Sequence, residues 1–363
     1  MRRMPTVSEL LGRIETRIPL TKAASWDPVG LQVGDPTAPV GKVGVCHEVT
    51  EEVVDAAADA GVDLLIAYHP LLFQPTTSLV AGRGPSGRAF RLARDGVALA
   101  VVHTAFDMAR GGTADALAEA LGLDDIGGFG PEPPSPQVKV VTFVPDEAVE
   151  VVAAAMAAAG AGTIGNYRAC SFRSRGVGAF LAGEGTSPVV GKVGEPNREP
   201  ELRLEMVAPA AIWPKVVAAL VAAHPYEEPA YDVYEVKANL GFVGRVGIRR
   251  SSLAELADEV AKVCGAPPRI AGEPDRRIEK VAVVPGSGGS FLPEAAAVGA
   301  EVVVTGDVSH HRARESLDRG LAVLDPGHAA TERPGVARLA GLVAELVECD
   351  LVDLTGWDPS PWK

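Results

Sequence analysis

Along the first third of the chain, short continuous apolar runs alternate with stretches in which apolar residues recur every three or four positions. The first rhythm suits strands buried on both faces, and the second suits helices packed against them. Leu10, Leu11, Ile14 and Ile18 fall at helical spacing with charges between them, which predicts an amphipathic helix and not a signal peptide. KVGVCHEVT (42–50) predicts a strand with a polar end, followed by a helix in EEVVDAAADAG that Gly61 stops. DLLIAYHP (63–70) and VALAVVHTAFD (97–107) predict two more strands, with helices in GRAFRLARDG and TADALAEALG. The last third repeats this grammar. A helix in SLAELADEVAKVCG precedes three strand-then-loop units, KVAVVPGSGG, AEVVVTGDVSHH and GLAVLDPGHAATE. The match is one of pattern, without a strong residue-by-residue repeat, and it predicts two similar halves.

The middle reads differently. GFGPEPPSPQ (128–137) is rich in Pro and Gly and marks a boundary. Beyond it, KVVTFVP, ELRLEMVAP and PAYDVYEV predict strands, and DEAVEVVAAAMAAAG and AAIWPKVVAALVAAHP predict helices. NYRACSFRSRGVGAFLAG predicts a hairpin, and GTSPVVGKVGEPNREPE a loop. Two strand–helix–strand units in this order suit a ferredoxin-like split βαβ domain. The fold expected is therefore α/β. A discontinuous two-halved α/β domain (1–130 and 241–363) carries an inserted ferredoxin-like α+β domain (131–240).

Composition narrows the setting without choosing a chemistry. Hydrophobic residues make up 47% and charged residues 22% of the 363, so the chain is globular and long enough for two or three domains. The net charge of −13 argues against a dedicated nucleic-acid binder. No run reaches the roughly 18 apolar residues of a membrane span. Cys46, Cys170, Cys264 and Cys349 are scattered with no CxxC pair, which predicts reduced thiols in a cytoplasmic protein.

The histidines carry the chemical signal. In open α/β sheets, sites gather beyond the carboxyl ends of the strands. His47, His69, His103, His310, His311 and His328 each follow a predicted strand of the outer domain, and only His224 belongs to the insert. His103 and Asp107 are four residues apart, as are His328 and Glu332, which on a helix places each pair on one face. Imidazole with carboxylate suits Zn²⁺, Mn²⁺, Fe²⁺ or Ni²⁺. The spacing alone is weak, because His47/Glu51, His224/Glu228 and His311/Glu315 share it.

Plainer roles compete at each position. His69 before Pro70 suits a strand end and turn, His103 a partner to a ligand, and Asp107 a helix cap. His328 and Glu332 also suit the start of a surface helix, and His47 a polar strand end. Of His310 and His311, one buried and one exposed is the ordinary outcome. In HPYEEP, His224 suits a helix C-terminus and Glu227 with Glu228 a solvated turn. PGSGGS (285–290) could hold an anion on backbone N–H groups, but it lacks a P-loop signature and reads as a plain turn.

Taken together, these motifs resemble the GTP cyclohydrolase 1 type 2 homologue family, the Nif-three-like proteins, nearly end to end. WDPVGLQVGD (26–35) resembles the family's Trp-Asp-Asn-Val-Gly-Leu-Gln-Val-Gly opening, with Pro28 in place of Asn. LLIAYHPLLF, HTAFD, GDVSHH and GHAATE match its later motifs in order, and HPYEEPAYDVYEV resembles the close of the PII/CutA-like insert of longer members. The resemblance implies a two-metal site with ligands at His69, Asp107, His328 and Glu332, and His103 in support. It also implies a toroidal homohexamer. One departure stands out: Tyr68 occupies the first of two consecutive histidine positions, and phenol is the poorer ligand at neutral pH.

The expected cofactor is thus a divalent ion (Zn, Mn, Fe or Ni), one or two per chain. Two functions follow. One is a metal-dependent hydrolase of nucleotides or other small phosphorylated or cyclic amide metabolites, with Glu332 or His103 moving protons. The other is a non-catalytic metal-binding regulator or metal chaperone acting through the insert.

Overall fold

The apolar runs of the first third become the centre of a parallel sheet. In the computed structural model, which describes residues 3–132, 136–164, 167–236 and 241–356, the chain divides into two compact units. One comprises Met1–Glu132 with Leu240–Lys363, and the other Pro133–Asn239. The first segment contributes strands β1 (Gly30–Val33), β2 (Lys42–Cys46), β3 (Leu64–Ala67), β4 (Ala98–Val101) and β5 (Asp124–Glu132). The insert supplies β6 (Gln137–Val144), β7 (Phe172–Leu181), β8 (Pro196–Pro209) and β9 (Tyr231–Val236). The last segment adds β10 (Gly241–Ser252), β11 (Arg269–Ala271), β12 (Arg277–Ser287), β13 (Val302–Gly306), β14 (Ala322–Asp325) and β15 (Asp350–Asp353).

The larger unit holds two sheets. One has the order β1-β4-β3-β2-β15, parallel except for β1 against β4. The other has the order β11-β14-β13-β12-β10-β5, with β12, β13 and β14 parallel. Each sheet borrows an edge strand from the opposite end of the chain: β15 joins the first, and β5 the second. Continuous apolar runs were needed because both faces are covered. Leu64, Ile66, Ala98 and Ala100 pack into one core with the helix Val7–Glu15, while Leu65, Ala67, Leu99 and Val101 face the opposite core with Val53 and Leu92. The strand period of two sorts neighbours onto opposite sides.

Local signals behave as their chemistry requires. Thr6 and Glu9 form a capping box at the helix Val7–Glu15, and Thr50 caps the helix Glu51–Ala60. Gly61 ends that helix at φ +67°, in the left-handed region that glycine enters without a Cβ clash. The expected third strand is shorter than predicted: β4 stops at Val101, and His103–Asp107 is helical. Strand β10 was not foreseen, since its centre carries Arg245. That guanidinium is buried, and Asp115 on the helix Thr113–Ala120 receives its Nε at 2.5 Å and its Nη2 at 3.2 Å.

The inserted unit has one four-stranded antiparallel sheet, order β7-β8-β6-β9, with the helices Val149–Ala158 and Trp213–Ala223 on its apolar face. Residues 196–200, expected as loop, extend β8 and pair with β7 (Glu199 with Gly178, Asn197 with Phe180). Pro196 and Pro200, at the two ends of that run, hid its alternating pattern. His224 ends the second helix with both ring nitrogens satisfied: Nδ1 accepts from the Tyr226 N–H at 3.1 Å, and Nε2 lies 3.0 Å from the Phe143 carbonyl. Residues 133–135 of the Pro/Gly-rich break and 165–166 at the start of the expected hairpin lie outside the described residues. Among the described residues no helix is long and apolar enough to cross a membrane.

Candidate metal centre

Three adjacent parallel strands deliver the imidazoles. In register, Cys46 lies beside Ala67 and Ala67 beside Val101, and the ladder continues one step beyond each strand end. The His69 N–H donates to the His47 carbonyl at 2.9 Å, and the His103 N–H to the Tyr68 carbonyl at 2.9 Å. The sheet thus sets the spacing of His47, Tyr68, His69 and His103 before any side chain interacts. His47 and His69 stack with ring centroids 5.2 Å apart and an interplanar angle of 14°.

Glu332 meets them from the helix His328–Leu346. Its Oε2 lies 2.7 Å from His47 Nε2 and 3.0 Å from His69 Nε2, and its Oε1 lies 3.1 Å from His328 Nε2 one turn away. Glu332 and His47 are each 2% exposed. His47, His69 and Glu332 are the group of ligand-type atoms that converges within 4.8 Å among the described residues. Burial works against the charge of Glu332, but His69, His328 and His47 outweigh it and hold the carboxyl well below its usual range. Burial likewise opposes charging of His328, yet Glu332 and Asp307 raise it to about 9. The cluster is a buried carboxylate ringed by three imidazoles, a donor set that would suit a divalent ion.

The second sheet makes room for that carboxylate. Gly286, at φ +69°, brings its backbone so close that a Cβ would lie 2.6 Å from Glu332 Oε1. PGSGGS, expected as a turn, is instead the end of β12 (to Ser287) running into a short 3-10 helix from Gly289, with Gly286 shaped around Glu332. Its Gly286 N–H donates to Thr331 Oγ1 at 2.8 Å, and its Gly288 N–H to Thr305 Oγ1 at 2.9 Å. Asp307, a non-glycine residue at φ +57°, accepts from His328 Nδ1 at 2.7 Å and fixes the ring.

His103 and Asp107, predicted to share a helix face, take other partners. His103 Nδ1 lies 3.0 Å from Asp27 Oδ2, and Asp27 also accepts from the Thr104 N–H at 3.0 Å. Burial pulls the His103 pKa down, but Asp27 and Asp107 raise it above the ordinary value. Asp107 accepts from the Tyr68 hydroxyl at 2.6 Å. Burial, reinforced by Asp107 and Glu332, keeps that phenol protonated far above its normal range, and burial raises Asp107 itself.

All five residues singled out in sequence (His69, His103, Asp107, His328 and Glu332) line one cavity of about 560 Å³, with Trp26 and Phe73 at its wall. His310 and His311 do not. Both are exposed at the start of the surface helix His310–Asp318, which Ser309 caps, so neither is the buried member expected. Sequence reasoning treated His47 as a polar strand end and overlooked Asp27 and Asp307. Position at a strand end was the one available signal for His47, and for Asp307 the carboxylate directly after β13.

The donors fit a metal. Around an ion with bonds of about 2.0–2.1 Å, tetrahedral ligand atoms sit about 3.3 Å apart, so contacts of 2.7 and 3.0 Å would need to open only slightly. Residues 5–355 match the family described as Duf34/NIF3 (NGG1p interacting factor 3). The chain is 37% identical over 341 residues to the GTP cyclohydrolase 1 type 2 homolog of Bacillus subtilis (strain 168), covering 91% of this chain and 90% of that one. The Mycobacterium tuberculosis (strain ATCC 25618 / H37Rv) protein of the same name is 39% identical over 347 residues, covering 92% and 90%. A crystal structure of a Bacillus cereus protein related to NIF3 aligns with a TM-score of 0.68 at 35% identity, covering 99% of this chain and 100% of that one. Sequence and fold agree along nearly the whole length, and the chain belongs to the Duf34/NIF3 family.

Proposed function

We propose that the protein is a metal-dependent hydrolase of small metabolites, with nucleotides and other phosphorylated or cyclic amide compounds as the class to test. The observation that carries this reading is the convergence of His47, His69 and His328 on one buried carboxylate at the wall of an open cavity. A cavity of about 560 Å³ is of the size that takes small ligands. A divalent ion bound there supplies Lewis acidity toward water and toward a substrate oxygen. Glu332 and His69 would hold it, with His328 on the carboxylate's other oxygen and Asp107 the remaining carboxylate at the wall. His103 is the proton-transfer group, since Asp27 engages its Nδ1 and leaves Nε2 for the cavity. Glu332, engaged on both oxygens by imidazoles, serves as ligand more than as base. The relatives' name makes GTP a reasonable first substrate, and fold kinship alone does not choose the reaction.

The inserted unit is read as ferredoxin-like, of the PII/CutA kind, on its strand order and its pair of helices. Its cavity of about 700 Å³, lined by Phe143, Arg203 and Tyr226, favours a second reading in which the protein is a metal-responsive regulator without turnover. A toroidal homohexamer and a cytoplasmic setting complete the proposal, the latter in keeping with four unpaired cysteines. Elemental analysis with a hydrolysis screen under metal-replete and chelated conditions separates the readings. Turnover that needs metal and is lost in His328→Ala supports the hydrolase; bound metal with no turnover supports the regulator. Sedimentation analysis checks for six chains per particle.

A further inference from the structure

We propose that His47 is a metal ligand, and that the ion sits in a tripod of His47 Nε2, His69 Nε2 and Glu332 Oε2 from which Asp107 is excluded. The proposal rests on the metal-dependent reading above and specifies its centre.

Three observations carry it. First, one oxygen, Glu332 Oε2, receives both imidazoles, at 2.7 and 3.0 Å, while His328 approaches the other oxygen. Two near-parallel rings aiming Nε2 at one point form a chelating pair, and the β2–β3 ladder holds them so without help from a metal. Second, one oxygen of Asp107 is already committed. The Tyr68 hydroxyl, on a side chain 1% exposed, donates to its Oδ1 at 2.6 Å. A phenol reaches farther than an imidazole, so its oxygen fills space next to Asp107 that an ion bound there would need. Third, Tyr68 and His47 are neighbours, with ring centroids 5.5 Å apart. Tyr68 stands where the resemblance places an imidazole, and an imidazole stands one strand away at position 47.

Two imidazoles and one carboxylate select a borderline ion such as Zn²⁺ or Co²⁺ over Mg²⁺ or Ca²⁺, which take oxygen ligands. Of the three, His69 and Glu332 line the cavity, from which water or substrate would reach a bound ion.

The test titrates the chelator-stripped full chain with Co²⁺, reading the visible absorption bands, and with Zn²⁺ against a competing chelator. His47→Gln keeps a hydrogen-bonding group toward Glu332 and removes the imidazole. It should lower affinity by more than about 100-fold, beyond what loss of an outer partner costs, and change the Co²⁺ bands. Tyr68→His in the His47→Gln background should recover much of the lost affinity, because an imidazole returns beside His69. Asp107→Asn, which still accepts from Tyr68, should bind as the parent does. Unchanged binding and bands in His47→Gln would overturn the proposal while leaving the metal reading intact. So would an Asp107→Asn loss as large as that of His47→Gln. A parent chain that binds neither ion would sink both. Circular dichroism of the metal-free variants checks folding; if His47→Gln fails there, the Asp107→Asn titration still decides whether Asp107 belongs to the shell.

Discussion

The two sheets of the larger unit present their strand ends to the same cavity, yet they do opposite things with them. The first places bulky donors directly at the ends of β2, β3 and β4: His47, Tyr68, His69 and His103. The second places glycines there. Gly286 and Gly306 let backbone approach Glu332 and His328 so closely that a Cβ on either would lie within 2.6 Å of a neighbouring atom, and Gly327 at φ +104° turns the chain into the helix that carries both. One sheet supplies imidazoles on a rigid ladder, and the other supplies the space into which a carboxylate can be delivered. A site between two sheets therefore does not need similar residues from each. It needs one sheet to give way where the other projects.

Removing the shared carboxylate is the strongest way to break this division of labour. Glu332→Ala should abolish metal binding and leave His47 and His69 without their acceptor, at a cost of about 1–3 kcal/mol for each, read by elemental analysis and urea denaturation. Gly286→Ala attacks the space instead. It pairs left-handed backbone strain of about 1–2 kcal/mol with crowding of Glu332 Oε1, so both stability and metal affinity should fall. Asp307→Ala releases the His328 ring behind Glu332 and should weaken metal binding by about 10-fold, with about 1 kcal/mol of stability lost because alanine tolerates φ +57° less well than aspartate. Gly61→Ala sharpens the contrast. It shares the left-handed backbone of Gly286 but would meet nothing within 4 Å, so it should cost about 1 kcal/mol and leave metal content unchanged. Equal metal loss in Gly61→Ala and Gly286→Ala would mean that strain, not crowding, governs the site.

Much of this was legible in the residues. Apolar runs of the right length located β2, β3, β4, β12, β13 and β14, because strands buried on both faces carry no polar positions to blur them. Strand ends located the histidines, since side chains leaving a parallel sheet gather at its carboxyl edge. The four-residue spacing held for His328 and Glu332, which do touch, but not for His103 and Asp107, which turn to Asp27 and Tyr68. Strand β10 and the start of β8 were missed because Arg245 and the prolines obscure their alternation, and only a partner such as Asp115 makes a buried arginine tolerable.

By itself the sequence determined the class of fold, the family and the pool of candidate donors, because periodicity, caps and ordered motifs are local and written in consecutive residues. Which donors meet was decided by tertiary structure alone. His47 joins Glu332 across 285 positions, Asp27 takes His103, and Tyr68 takes Asp107, and each pairing depends on distances of a few ångströms set by strand register and helix placement. Hydrogen bonding and metal ligation both fall away within about an ångström, so no spacing along the chain can encode them.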